Sequence, residues 1–162
     1  MIKNNIIAFV FHIVLCILLT ISGMGFFNNS SESNSIFATI LLIILAPLVY
    51  LFLGYFFTKY NIFKTQNIKL KNLISVSSIS VIGVMIWIFC YATVGFVQGD
   101  SGMEWILNII YATPFITTMS ILSDINIINV FLEMFLLAFL PSILLWIGIE
   151  LSVYRKGKKA IN

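Results

Sequence analysis

The sequence predicts an all-α, polytopic integral membrane protein with four transmembrane helices and an outer-side re-entrant or interfacial helical segment. Three observations lead there. Only 9% of the 162 residues are charged while 60% are hydrophobic, and the mean hydropathy is +1.08. So little charge cannot cover a water-facing surface, which excludes an ordinary soluble domain, and the aromatic content of 15% excludes a disordered chain. Four apolar stretches have the length of about 20 residues that a helix needs to cross the hydrocarbon core. The basic residues, finally, fall into groups that such a topology places on one side.

The first stretch, 6–27, follows Lys3, Asn4 and Asn5 and is 22 residues long. A cleavable signal peptide has an apolar region of about 7–15 residues and a small-residue cleavage site. The stretch therefore reads as an uncleaved signal anchor. Leu15 before Cys16 is not the small residue that precedes a lipidated cysteine. The polar turn 28–35 holds two formal glycosylation sequons and joins this helix to an antiparallel neighbour at 36–58. The dominance of Ile, Asn, Lys and Phe suits an AT-rich bacterial source, in which those sequons carry no weight. A basic loop follows, with Lys59, Lys64, Lys69 and Lys71, and then the third stretch, 73–97. After the short acidic segment 98–104, the fourth spanning helix is placed at 130–153.

The run 105–122 is ambiguous. Its 18 residues sit at the threshold for a span, and Pro114 interrupts it. Charge decides the matter, because Lys and Arg stay cytoplasmic near helix ends. With four spans, Lys3, the four loop lysines, Arg155, Lys156, Lys158 and Lys159 all lie inside, with both termini cytoplasmic. Glu32, Asp100, Glu104 and Asp124 then lie outside, with Glu133 at the boundary. A fifth span would carry the basic C-terminal tail outward. Residues 105–122 are accordingly expected to be re-entrant or interfacial, and the whole chain, 1–162, to form one membrane domain without internal repeats.

Few polar residues fall where lipid would oppose them. His12, Cys16 and Thr20 share one face of the first helix by i,i+4 steps and form a candidate intramembrane polar face. Helix–helix hydrogen bonding is the expected role. A metal site needs three or four ligands and the chain has no second His, so no metal and no cofactor is assigned. Glu133, Asn108, Asp124 and Asn129 are gathered as a candidate outer pocket, whose negative potential would favour a cation or a basic peptide. Glu150 is expected to pair with Arg155 or Lys156. Arg155, Lys156, Lys158 and Lys159 form a basic lipid-facing cluster of the kind that holds anionic headgroups, or a stop-transfer signal. That patch is too short to imply a nucleic-acid partner.

Small residues mark close helix approaches: Ala46, Tyr50, Gly54 and Thr58 form one row, and Ala138/Ser142 and Gly148/Ser152 are small-xxx-small pairs. Pro47 and Pro141 are expected to bend their helices. Phe26, Phe27, Tyr55, Tyr60, Trp105 and Tyr154 read as interfacial anchors. Cys16 and Cys90, both inside apolar runs, are expected to be free.

The chain contains no P-loop, zincin, nucleophile-elbow or Cys-x-x-Cys motif, and no catalytic residue is assigned. The expected function is therefore binding, by an accessory subunit of a membrane complex or an immunity-type factor against a peptide or toxin. An oligomeric transporter or channel component is the alternative, and a membrane enzyme or lipid-binding module the third class.

Overall fold

A computed structural model describes residues 1–27, 32–65, 68–94, 102–115 and 130–159, and every regular element among them is helical. In chain order they are α1 (Ile2–Phe27), α2 (Glu32–Lys59), α3 (Lys69–Ile74), α4 (Ser78–Val94), α5 (Gly102–Ala112) with a 3-10 turn at Thr113–Phe115, α6 (Val130–Leu137) and α7 (Leu140–Lys159). Two helical runs, Ile2–Ile21 and Met134–Gly157, are long and apolar enough to cross a membrane; Ile43–Lys59, Ser78–Thr93 and Trp105–Phe115 are shorter apolar helices.

The distribution of side chains identifies the solvent. On α1, Asn4, Ala8, His12 and Cys16 are buried at i,i+4 spacing, whereas Ile6, Val10, Ile17, Leu18 and Ile21 are exposed. Elsewhere Asn72, Ser75, Ser142 and Ser152 are buried while Phe52, Met85, Ile88, Phe89 and Leu151 are exposed. Water would penalise such an arrangement twice, by wetting large apolar surfaces and by desolvating polar groups. Lipid removes the first penalty, and interhelical hydrogen bonds relieve the second. The protein is a membrane protein, and its exposed helix faces associate with the bilayer.

Helices α2 and α7 approach each other closely. A Cβ added to Gly148 would meet the Leu51 carbonyl oxygen and lie 2.8 Å from the Tyr55 nitrogen and 3.1 Å from the Gly54 Cα. Ala46, Tyr50 and Thr58, the rest of the row read from the sequence, are buried, as are Ser142 and Ser152. Small residues here let two backbones approach where dispersion replaces the hydrophobic effect as the cohesive force.

One end of the bundle is tied by side-chain amides. Asn4 Nδ2 donates to the Lys64 carbonyl (2.9 Å) and Ser75 Oγ (3.2 Å), and the Lys64 N–H donates to Asn4 Oδ1 (3.0 Å). Asn5 Nδ2 donates to the Ile74 carbonyl (3.0 Å), and the Ser78 N–H donates to Asn5 Oδ1 (2.9 Å). These bonds explain a departure from the sequence reading. The third apolar stretch does not run unbroken from Leu73: α3 stops at Ile74, a turn spans 75–77, and α4 begins at Ser78. Ser75 Oγ donates to the Asn72 carbonyl at 2.7 Å and Ser77 Oγ to the Ile74 carbonyl at 3.0 Å, so local hydroxyls compete with helix continuation.

The fourth apolar stretch also changes course. At Ala138 and Phe139 the backbone bonds run to Phe135 and Leu136, three residues back, just before Pro141. Pro141 has no N–H and its ring crowds the carbonyl four residues back, which accounts for the irregularity there. Pro47, by contrast, lies inside α2 without interrupting it. The end of α2 is closed by Asn61 in the left-handed region (φ 58°), which Asn tolerates better than most residues, with the Ile62 N–H on the Phe57 carbonyl at 2.8 Å.

Candidate functional site

The polar residues of α1 meet two tyrosines. His12 Nδ1 lies 2.6 Å from Tyr50 Oη on α2, and its Nε2 lies 3.5 Å from Cys16 Sγ. Cys16 Sγ donates to the Tyr111 carbonyl at 3.4 Å. A thiol has one proton, so this bond leaves Cys16 as acceptor from His12 Nε2–H, and His12 Nδ1 as acceptor from the Tyr50 hydroxyl. One direction therefore runs along the chain: Tyr50 to His12, His12 to Cys16, Cys16 to Tyr111. The Tyr111 hydroxyl donates in turn to the Ile79 carbonyl at 2.6 Å.

Thr20 continues the row. Its Oγ1 donates to the Cys16 carbonyl at 2.7 Å and lies 3.3 Å from Thr113 Oγ1, at the turn that ends α5. Helical spacing thus places His12, Cys16 and Thr20 along one seam, and α5 supplies the opposite wall. The His12 ring also packs on Tyr111 with centroids 4.4 Å apart, and Tyr50 stacks on Phe115 at 5.4 Å. Cys16 and Cys90 are both buried, and neither forms a disulfide among the described residues.

Of the candidate outer pocket, the structure describes one side chain. Asn108 is buried on α5, and its Oδ1 has no hydrogen-bond partner among the described residues. It lines a small cavity with His12, Tyr111, Phe115, Met134 and Leu137. The cavity volume is about 10 Å³, room for about one water molecule. Asn108 thereby joins the His12 seam. Glu133 lies in α6 with its side chain outside the described set, and Asp124 and Asn129 lie outside the described residues. Trp105, read from the sequence as an interfacial anchor, is buried instead in a cluster with Cys90 and Met134.

The charges near the C-terminus of α7 pair differently from the sequence expectation. Glu150 accepts from Asn72 Nδ2 at 2.9 Å, not from Arg155 or Lys156. Arg155 donates to Tyr55 Oη at 3.0 Å, and Lys156 Nζ donates to the Thr58 carbonyl (2.7 Å) and Asn61 Oδ1 (3.0 Å). The reason is helical geometry. Residues five and six positions beyond Glu150 leave its face, and the i,i+4 position that would meet it is Tyr154. Lys156 instead satisfies the Thr58 carbonyl at the C-terminus of α2, where a cation is favourable. Two members of the basic cluster are thus occupied within the protein; the side chains of Lys158 and Lys159 lie outside the described set.

The sequence reading missed Tyr50 and Tyr111 as hydrogen-bonding partners. The available signal was their type: a tyrosine in an apolar helix brings a hydroxyl that must find a partner. Comparison with known protein families, curated proteins and solved structures returned no match.

Proposed function

We propose that this is a small bacterial protein with four membrane spans that acts by binding a partner within the bilayer, as an accessory subunit of a membrane complex or an immunity-type factor. The spans in this reading are α1, α2, α4 and the α6–α7 run, with both termini cytoplasmic. Support comes from the hydrogen bonds that draw Asn4, Lys64, Ser75, Thr58 and Lys156 to one end of the bundle, alongside all the basic segments. Helix α5 has 11 residues, about 16 Å at 1.5 Å per residue, half of the hydrocarbon thickness. Its exposed residues Ile106, Leu107 and Ile110 are apolar while Asn108 turns inward, which favours a re-entrant segment over one lying on the surface.

The observation that carries the binding reading is an apolar groove of about 500 Å³ between α4 and the α6–α7 junction, walled by Val81, Val84, Met85, Phe139 and Ile143. Ser80 and Ser142 lie along it, and Ser80 Oγ is buried without a partner among the described residues. Small hydroxyl residues among larger apolar side chains suit the approach of another transmembrane helix. The interior cavity of about 10 Å³ is, by contrast, too small for a substrate.

Purification in mild detergent at native expression tests this reading. Wild type is expected to retain a stable membrane partner, and Val84→Trp, which fills the groove, to lose it while inserting normally. Recovery of wild-type monomer alone would overturn the proposal. The polar seam from Tyr50 through His12 and Cys16 to Thr20 favours a second reading, an oligomeric transporter or channel component. That reading predicts flux in proteoliposomes, sensitive to Asn108→Ala; flat traces from well-reconstituted protein would remove it.

A further inference from the structure

A second groove, of about 420 Å³, opens beside α7 at the end where the basic segments gather, and it is lined by Lys69, Trp146, Ile147, Glu150, Leu151 and Tyr154. Its walls are mostly apolar, yet it carries one cation and one anion. Trp146 Nε1 donates to the Lys69 carbonyl at 3.2 Å, which fixes the start of α3 against α7. The Lys69 side chain is exposed and, among the described residues, has no ion-pair partner. Glu150 is half-buried, and its one partner among the described residues is the neutral amide of Asn72. A carboxylate at the margin of a membrane is costly unless a cation or several donors meet it. Arg155 and Lys156, the nearest cations in sequence, are engaged with Tyr55 and with the end of α2.

We propose that this groove is a binding site for a phospholipid with a primary-amine headgroup, such as phosphatidylethanolamine. The lipid phosphate would meet the Lys69 ammonium, and the headgroup ammonium would donate to the free acceptor capacity of the Glu150 carboxylate. Ile147, nearly one turn deeper along α7 than Glu150, would carry the start of an acyl chain, and Trp146 and Tyr154 would bracket the headgroup at the interface, where amphipathic aromatic rings are at home. Opposite charges on one apolar-walled groove select a zwitterion. An anionic lipid would face the carboxylate, and a trimethylated headgroup keeps its charge but has no N–H to donate. The site lies further along the same side of α7 than the apolar groove proposed for a partner helix, and the two share no lining residue.

Native mass spectrometry of the delipidated full-length protein, titrated with phosphatidylethanolamine, its mono- and dimethylated forms, phosphatidylcholine and phosphatidylglycerol, tests the assignment. The wild type is expected to retain phosphatidylethanolamine about tenfold better than phosphatidylcholine, the size of one charge-assisted hydrogen bond, with the methylated series falling between. Glu150→Gln keeps an oxygen for Asn72 but removes the charge, and should erase the preference. Lys69→Gln should weaken retention of every phospholipid in the series. Equal retention of the amine and trimethylated lipids by the wild type would overturn the proposal without recourse to any variant. So would an unchanged preference in a folded Glu150→Gln protein.

Discussion

Gly54 and Gly148 face each other across the α2–α7 contact so closely that a methyl group on Gly148 would enter the backbone of α2. The nearest atoms are main-chain atoms of Leu51, Tyr55 and Gly54, which cannot rotate aside as a side chain can. Gly148→Ala is therefore expected to push the helices apart, with a loss of about 1–3 kcal/mol typical of overpacking. Gly157 provides the control, since an added Cβ there meets nothing within 4 Å. Thermal unfolding in detergent should show Gly148→Ala well below wild type and Gly157→Ala close to it. Equal midpoints for the two variants would mean that the α2–α7 contact is looser than described.

The glycine contact also shows how far the sequence could be read. The row Ala46, Tyr50, Gly54 and Thr58 and the small residues of α7 were recognisable by i,i+4 spacing, because that periodicity is a local property of the chain. The same holds for His12, Cys16 and Thr20, and for apolar segments long enough to span. What could not be read depends on distant residues. The interruption at 75–77 involves Asn5, about 70 positions away, and Glu150 finds Asn72, 78 positions away. Nothing near Glu150 in sequence signals Asn72, whereas Arg155 and Lys156 advertise themselves by proximity. Trp105 was misread for a related reason: its amphipathic ring suits an interface, but the packing of Cys90 and Met134 draws it inward.

Tyr50 contributes a hydroxyl to His12 at 2.6 Å in a region sealed from solvent. Tyr50→Phe keeps the stacked ring but leaves His12 Nδ1 without its donor. Leaving one partner of a buried hydrogen bond unsatisfied costs about 1–3 kcal/mol. The variant should unfold at lower temperature, and a double-mutant cycle with His12→Leu should return a coupling of about 1 kcal/mol or less, as interhelical bonds in membranes do. Additive single effects would show that the two side chains are neighbours without an energetic bond.

Asn108 makes the opposite prediction. Its Oδ1 is buried with no partner among the described residues and borders a cavity of about 10 Å³. Replacing an unsatisfied buried polar group by an apolar one of similar size is neutral or stabilising, and the cavity has room for part of a larger side chain. Asn108→Leu is expected to match or exceed the wild-type thermal midpoint. A drop of several degrees would show that Asn108 is fully bonded in the folded protein. A stable variant that fails in partner retention or flux would mark Asn108 as kept for function.

The four-span reading makes a prediction about sidedness that no stability measurement touches. Reporter fusions at positions 30, 65, 101 and 162 should read outside, inside, outside and inside. The argument rests on charge: Lys3, Lys59, Lys64, Lys69, Lys71 and Arg155 through Lys159 hold every basic residue of the chain, and an odd number of crossings would carry the last group outward. The bonds of Asn4 to Lys64 and of Lys156 to Thr58 bring the first, second and last of these groups to the same end of the helices. An outward reading at 162 with an inward one at 65 would overturn this topology, because α5 and the residues after it would then have to cross. Inverting the charge of the tail, by replacing Arg155, Lys156, Lys158 and Lys159 with Glu, should weaken the inward signal at 162 and leave that at 65 unchanged.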